Sequence, residues 1–142
     1  MASARLHRKD FKTLTRLRAK DARALVRSGN EQGAYYLAGY AVECALKACI
    51  ASKTKRSEFP PSPQEVRDNF YTHDLTMLLK TAGLEKLLEK DMTLNASLAT
   101  NWNTVKGWDE QCRYRCSGLN GRDMEKAIRG ANGVLRWIKQ HW

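Results

Sequence analysis

No stretch of this chain alternates apolar and polar residues for long enough to make a useful strand, which argues against a sheet-based fold. Proline is confined to Pro60, Pro61 and Pro63, so the rest of the sequence is open to helix. No apolar run approaches the roughly 18 residues that a membrane span needs. The opening "MASARLHRKDFK" lacks the apolar segment that a secretory signal carries after its basic start, and the expectation is a cytoplasmic protein without a membrane partner. A glycine-rich phosphate loop, a Gly-x-Ser-x-Gly elbow and a His-Glu-x-x-His pair are all missing. No cofactor is expected. In a cytosolic setting Cys44, Cys49, Cys112 and Cys116 read as reduced thiols. Cys112 and Cys116 lie one helical turn apart, which is not a Cys-x-x-Cys pair, and no metal is assigned to them.

Negative charge is also scarce. Fifteen Asp and Glu face 25 Lys and Arg over 142 residues, a formal charge of +10. Nine of the cations fall between Arg5 and Arg27, against only Asp10 and Asp21. Such an excess suits a polyanion, with Arg16, Arg23 and Arg27 as candidate phosphate contacts. It equally suits a solvated helix face.

Helical spacing recurs along the whole length, and the expected fold is a single all-α domain over residues 1–142, an up-and-down bundle of about five helices. A first helix is expected from about Lys9 to Arg27, stopped by "SGN" at 28–30. A second follows from about Glu31 to Ser52. The proline-bearing stretch 53–72 reads as the longest connection, with one short turn beginning at Ser62. Thr72 is the candidate N-cap of a third helix beginning near His73, with Leu75, Leu78 and Leu79 facing the core and Gly83 as its stop. Helical pattern continues from Leu84 to about Trp108, broken near 91–93, where Thr93 caps a new start. After a loop at 115–123, one last helix from about Arg122 to Gln140 buries Met124, Ala127, Ile128, Ala131, Val134, Leu135 and Ile138.

The second helix is the unusual one. Ala34, Ala38, Ala41, Ala45 and Ala48 form a seam of methyl groups that another helix can approach closely, within the chain or across a subunit interface. Gly39 costs about 1 kcal/mol relative to alanine in a helix interior, and close packing there would account for it. The centre is apolar all round except at Glu43 and Lys47, one turn apart. A surface pair in that order gains only about 0.3–0.5 kcal/mol, too little to offset burying either charge, so both need further partners or solvent. Candidates are His73 and Asp74, or Arg113 and Tyr114, with Arg113 favoured for Glu43 because a guanidinium can meet a carboxylate with two hydrogen bonds. With Tyr40, these residues form either a buried network that fixes helix register or one wall of a ligand cleft.

"AYYLAGYAVECALKACI", followed by "THDLTMLL", "NWNTVKGWDEQCRYR" and a closing "VLRWIKQ", resembles the HEPN domain of prokaryotes over about residues 8–140. The resemblance implies a helical bundle paired into a homodimer and associated with RNA or nucleotides. It also implies a toxin–antitoxin or antiphage setting, often beside a small nucleotidyltransferase encoded nearby. Many members are metal-independent ribonucleases with an Arg followed, after four to six positions, by a His, the histidine serving proton transfer and the arginine holding the phosphate. The place after "RYR" where that pair belongs holds no histidine. Arg67 and His73 match the spacing elsewhere and are the candidate catalytic pair, although His73 also fits the His-Asp-Leu helix start of non-nuclease relatives. The primary expectation is an RNA- or nucleotide-binding protein. An active ribonuclease and a scaffold or antitoxin acting through protein contacts are the alternatives. Arg115 joins Arg113 and the first helix as an expected RNA contact, and Trp108 and Trp142 are the tryptophans expected to lie outside the core.

Overall fold

A computed structural model describes residues 6–53, 58–59 and 72–142. Its elements run β1 (Leu6–His7), α1 (Arg8–Arg27), α2 (Glu31–Ala51), β2 (Glu58–Phe59), α3 (Leu75–Thr81), α4 (Glu85–Leu94) and α5 (Ala96–Val105). A 3-10 helix, Glu110–Tyr114, then leads to α6 (Gly121–Ile128) and α7 (Val134–Lys139). The molecule is an all-α bundle, with seven α-helices among the described residues in place of the expected five or so. A two-residue antiparallel ladder, Leu6 opposite Phe59 and His7 opposite Glu58, is added to them. The short turn expected at Ser62 lies outside the described residues.

α1 begins where the Asp10 carboxylate accepts the His7 backbone N–H at 2.8 Å, and it ends on Ser28 and Gly29 as the sequence suggests. The three-residue turn folds α2 back antiparallel along α1, the most extensive helix pair in the molecule. α6, α7, α3 and the 3-10 helix close over the other sides of α2. Every residue from Ala41 to Ala51 is consequently buried. The alanine seam has no exposed surface at any of its five positions, so it is covered within one chain and is not left for a second subunit. Among the described residues, Leu46, Leu75, Leu78, Leu88, Met124 and Ile138 are the largest fully buried side chains, each contributing about 1.5–3 kcal/mol by leaving water. They belong to one core cluster that draws on all seven α-helices.

Several boundaries differ from the expectation, each for a local reason. Asp74, rather than Thr72, caps α3: its carboxylate accepts Met77 N–H at 3.1 Å, while the Thr72 hydroxyl accepts the N–H of Asp74. The break between α4 and α5 falls at Asn95, whose side-chain oxygen accepts Leu98 N–H at 3.0 Å. Thr93 is no cap, because its hydroxyl donates back to the Lys90 carbonyl inside α4. The long last helix is two helices. Gly130 sits at φ 91°, a left-handed conformation that continues no α-helix, and the chain turns through Gly133 before α7 begins. Ala131 falls in that turn and is exposed, not buried. Leu75, Leu78 and Leu79 face the core as expected.

Gly39 explains itself by contact. A β-carbon there would overlap the indole of Trp108, which lies flat against the α2 backbone and is buried rather than free. In an open helix Gly39→Ala would gain about 1 kcal/mol. Here overpacking reverses the sign, and urea denaturation of Gly39→Ala should show a loss of about 1–3 kcal/mol, partly recovered by adding Trp108→Leu.

Candidate functional site

Two polar regions stand out, on different sides of the bundle core. The first is built on α2. Glu43 is only 2 % exposed and Lys47 8 %. Helical geometry sets Lys47 one turn below Glu43, and its Nζ donates to Oε2 at 3.2 Å. The other carboxylate oxygen, Oε1, lies 2.6 Å from Nδ1 of His73. His73 arrives there because it directly precedes the Asp74 cap, so docking of α3 on α2 delivers the imidazole. Both oxygens of Glu43 are thus met, which satisfies the requirement that a buried carboxylate be paired and hydrogen-bonded. The His73 side chain is 45 % exposed, and with Nδ1 committed to Glu43 its dealings with anything outside run through Nε2. Tyr40 lies one turn before Glu43, and burial, then Cys44 and Glu43, push its hydroxyl up to about 12.

Arg113 is not the partner of Glu43. It sits on the short 3-10 helix, where its guanidinium lies near Tyr36 and 5.0 Å from the centre of the Tyr114 ring. Tyr36, then Tyr114, push its already high pKa further up. Tyr36 stands about 10 Å before Glu43 along α2, by the rise of 1.5 Å per residue. Tyr36 also stacks on Tyr40 and Trp108, with ring centroids 6.2 and 6.1 Å apart. Of the expected ligand residues, then, Tyr40, Glu43, Lys47 and His73 gather together. Asp74 is occupied in capping, and Arg113, Tyr114 and Arg115 belong to the exposed turn after α5, where the Arg115 carbonyl accepts from Gln32. Arg67 lies outside the described residues.

The second region is basic. Arg8, Lys12, Arg16, Lys20, Arg23 and Arg27 recur every three or four residues of α1 and occupy a sector of about 120° at 100° per residue. Asp10 and Asp21 lie beyond that sector, while Phe11, Thr15 and Ala22 form the buried face. Arg16, Arg23 and Arg27 are exposed, as their expected role requires. α7 lies alongside. Trp142 holds Lys12 and Arg16 of α1 and Lys139 of α7 over its ring, each cation 5.2–5.6 Å from the centroid. Burial and then Arg8 and Arg16 lower the pKa of Lys12; burial and then Arg16 lower that of Lys139. Further along, a groove of about 710 Å³ opens between α1 and α6–α7, with Lys20 and Arg23 on one wall and Arg129, Arg136 and Lys139 on the other. The spacing along α1 was a readable signal for Arg8, Lys12 and Lys20. Nothing in the sequence placed Arg129, Arg136 or Lys139 beside α1, because their place depends on the turn at Gly130.

Among the described residues, no group of three or more His, Cys, Asp or Glu is arranged to hold a metal ion, and no helix is long and apolar enough to cross a membrane. All four cysteines are free thiols. Comparison of the chain with protein-family models, with curated proteins and with solved structures finds no match.

The Glu43 arrangement sets an order of stability losses. Glu43→Gln removes the charge that faces Lys47 and His73 and should cost about 3–5 kcal/mol, whereas His73→Ala, at a half-exposed position, should cost about 1 kcal/mol. Chemical denaturation of the two variants reads the difference.

The thiols give a second check. Burial pushes Cys44 and Cys49 up to about 12 and Cys112 upward, while Cys116 is exposed. Maleimide at pH 8 should label Cys116 rapidly and the other three only on unfolding. Because the folded-state values of Cys44, Cys49 and Tyr40 lie above the unfolded ones, the stability that these three groups contribute is complete below about pH 9 and is lost as pH rises toward 12. Thermal melts should show a falling midpoint over that interval.

Proposed function

We propose that this chain is a HEPN-like domain that binds RNA through the basic face of α1 and the adjoining α7. The observation that carries the reading is the charge arrangement: six cations of α1 share one sector, α7 adds Arg136 and Lys139, and the acids of α1 lie outside that sector. One step of four residues advances about 6 Å along the helix, comparable to the step between successive phosphates of a nucleic-acid strand. The HEPN part of the reading draws support from the residues that carry the resemblance, since Glu43, Lys47 and His73 form one hydrogen-bonded group. A homodimer, a nearby nucleotidyltransferase, a cytoplasmic location and a role in toxin–antitoxin or antiphage systems belong to the same proposal and rest on the resemblance alone.

One observation favours a second reading, a metal-independent ribonuclease using His73 with Arg67. A buried carboxylate 2.6 Å from Nδ1 is the kind of support that orients a histidine for proton transfer through Nε2.

RNA binding should weaken with salt at a log-log slope of about −0.7 per phosphate contact, and replacing Arg16, Arg23 and Arg27 by Gln should reduce that slope by about 2. Retention of single-stranded RNA measured across a salt series tests this, and a slope unchanged in the triple variant would sink the binding face. RNA cleavage in chelator, lost in both Arg67→Ala and His73→Ala, would establish the ribonuclease instead. Neither cleavage nor salt-dependent retention would leave nucleotide binding or the scaffold reading.

A further inference from the structure

The groove between α1 and α6–α7 differs from the open basic stripe in having a floor and a positioned arginine. Ala19, Ile128 and Leu135 supply apolar surface, and the volume of about 710 Å³ falls within the range of small-ligand sites. Glu125 also lines it, with a side chain only 5 % exposed. Its Oε1 accepts the Nε–H of Arg129 at 2.8 Å, one helical turn away, while the Arg129 side chain stays 47 % exposed. A guanidinium gripped at Nε has its plane fixed, and its Nη groups remain on the outer edge. A buried carboxylate is costly unless it is paired, and holding an arginine at the lip of a groove gives this one both a partner and a task. Lys20 and Arg23 stand on the opposite wall.

We propose that this groove seats one nucleotide unit, its base against the apolar floor and its phosphate between Arg129 and the α1 cations. Glu125 is a positioning residue for Arg129. The chemistry recognised, an unpaired base bearing a phosphate, is offered by a free nucleotide or by one unit of a single RNA strand. As a site within RNA the inference rests on the RNA-binding reading above. A base reaches the floor only when it is unpaired, so the groove makes the protein prefer single-stranded RNA, whereas a duplex is confined to the rim phosphates.

Fluorescence anisotropy with a short labelled oligoribonucleotide, alone and annealed to its complement, tests this at one fixed salt concentration. The single strand should bind about tenfold more tightly than the duplex, the size of effect that one stacked base supplies. Ala19→Phe, which fills the floor without altering charge, should erase that preference. Glu125→Gln should weaken single-strand binding in the same sense. Arg129→Lys, which keeps the charge but not the planar fork, should weaken it too. Equal affinity for the two forms in the unaltered protein, or an Ala19→Phe variant that still prefers the single strand, overturns the proposal. If neither RNA binds at low salt, the RNA reading fails by itself, and a titration with adenosine 5′-monophosphate decides the groove. Binding of the mononucleotide that Ala19→Phe abolishes keeps the site as one for a free nucleotide; absence of such binding overturns it.

Discussion

A helix buried around its whole circumference can hold a carboxylate only where other groups replace the water it has lost. α2 is such a helix, and Glu43 is that carboxylate. Its two oxygens reach in different directions, one down the same helix to Lys47 and one across to His73, so the pairing joins the middle of α2 to the start of α3. The nonpolar packing of α2 has no comparable directionality. Methyl groups along a seam tolerate a small slide or rotation of their neighbours, whereas a hydrogen-bonded ion pair at 2–8 % exposure does not. The junction adds a directional restraint on α3 against α2 to the packing of Leu75, Leu78 and Leu79.

Much of this was legible in the sequence because the signals were strong and local. α1 and α2 have long unbroken periodicity and a Ser-Gly-Asn stop between them, and their observed bounds differ from expectation by one residue at most at each end. The burial of Glu43 was legible for a related reason: with apolar residues on every side of it, the helix had no face to turn to solvent. The identity of its partner was not legible. His73 and Arg113 were both plausible by chemistry, and the choice between them is made by where α3 and the 3-10 helix dock, which is a tertiary fact. The second half of the chain was harder for the opposite reason, since its helices are short and apolar spacing runs straight through their breaks. Ile128, Val134, Leu135 and Ile138 continue one apparent stripe across a turn, and only Gly130 and Gly133 mark the interruption. Asn95 similarly outcompeted Thr93 as a cap because the threonine hydroxyl was satisfied within its own helix.

The charge distribution has a related lesson. The α1 stripe is a one-dimensional pattern and can be read from spacing alone. The groove beside it is three-dimensional, assembled from α1 and from two helices more than 100 residues further along the chain. Crowding of like charge there is a standing electrostatic cost to the fold, relieved in part by the indole of Trp142 and by the paired Glu125. Proteins retain such unfavourable local charge where a counter-charge arrives from outside.

The small ladder between Leu6–His7 and Glu58–Phe59 gives the basic helix a further property. The α1–α2 hairpin is closed at one end by its tight turn, and at the other the ladder ties the residues just before α1 to Glu58–Phe59, beyond the end of α2. A helix that carries so many like charges would tend to fray from its free end by self-repulsion. Fastened at both ends, α1 can be loaded with positive charge along one side without peeling from the helix that supports it.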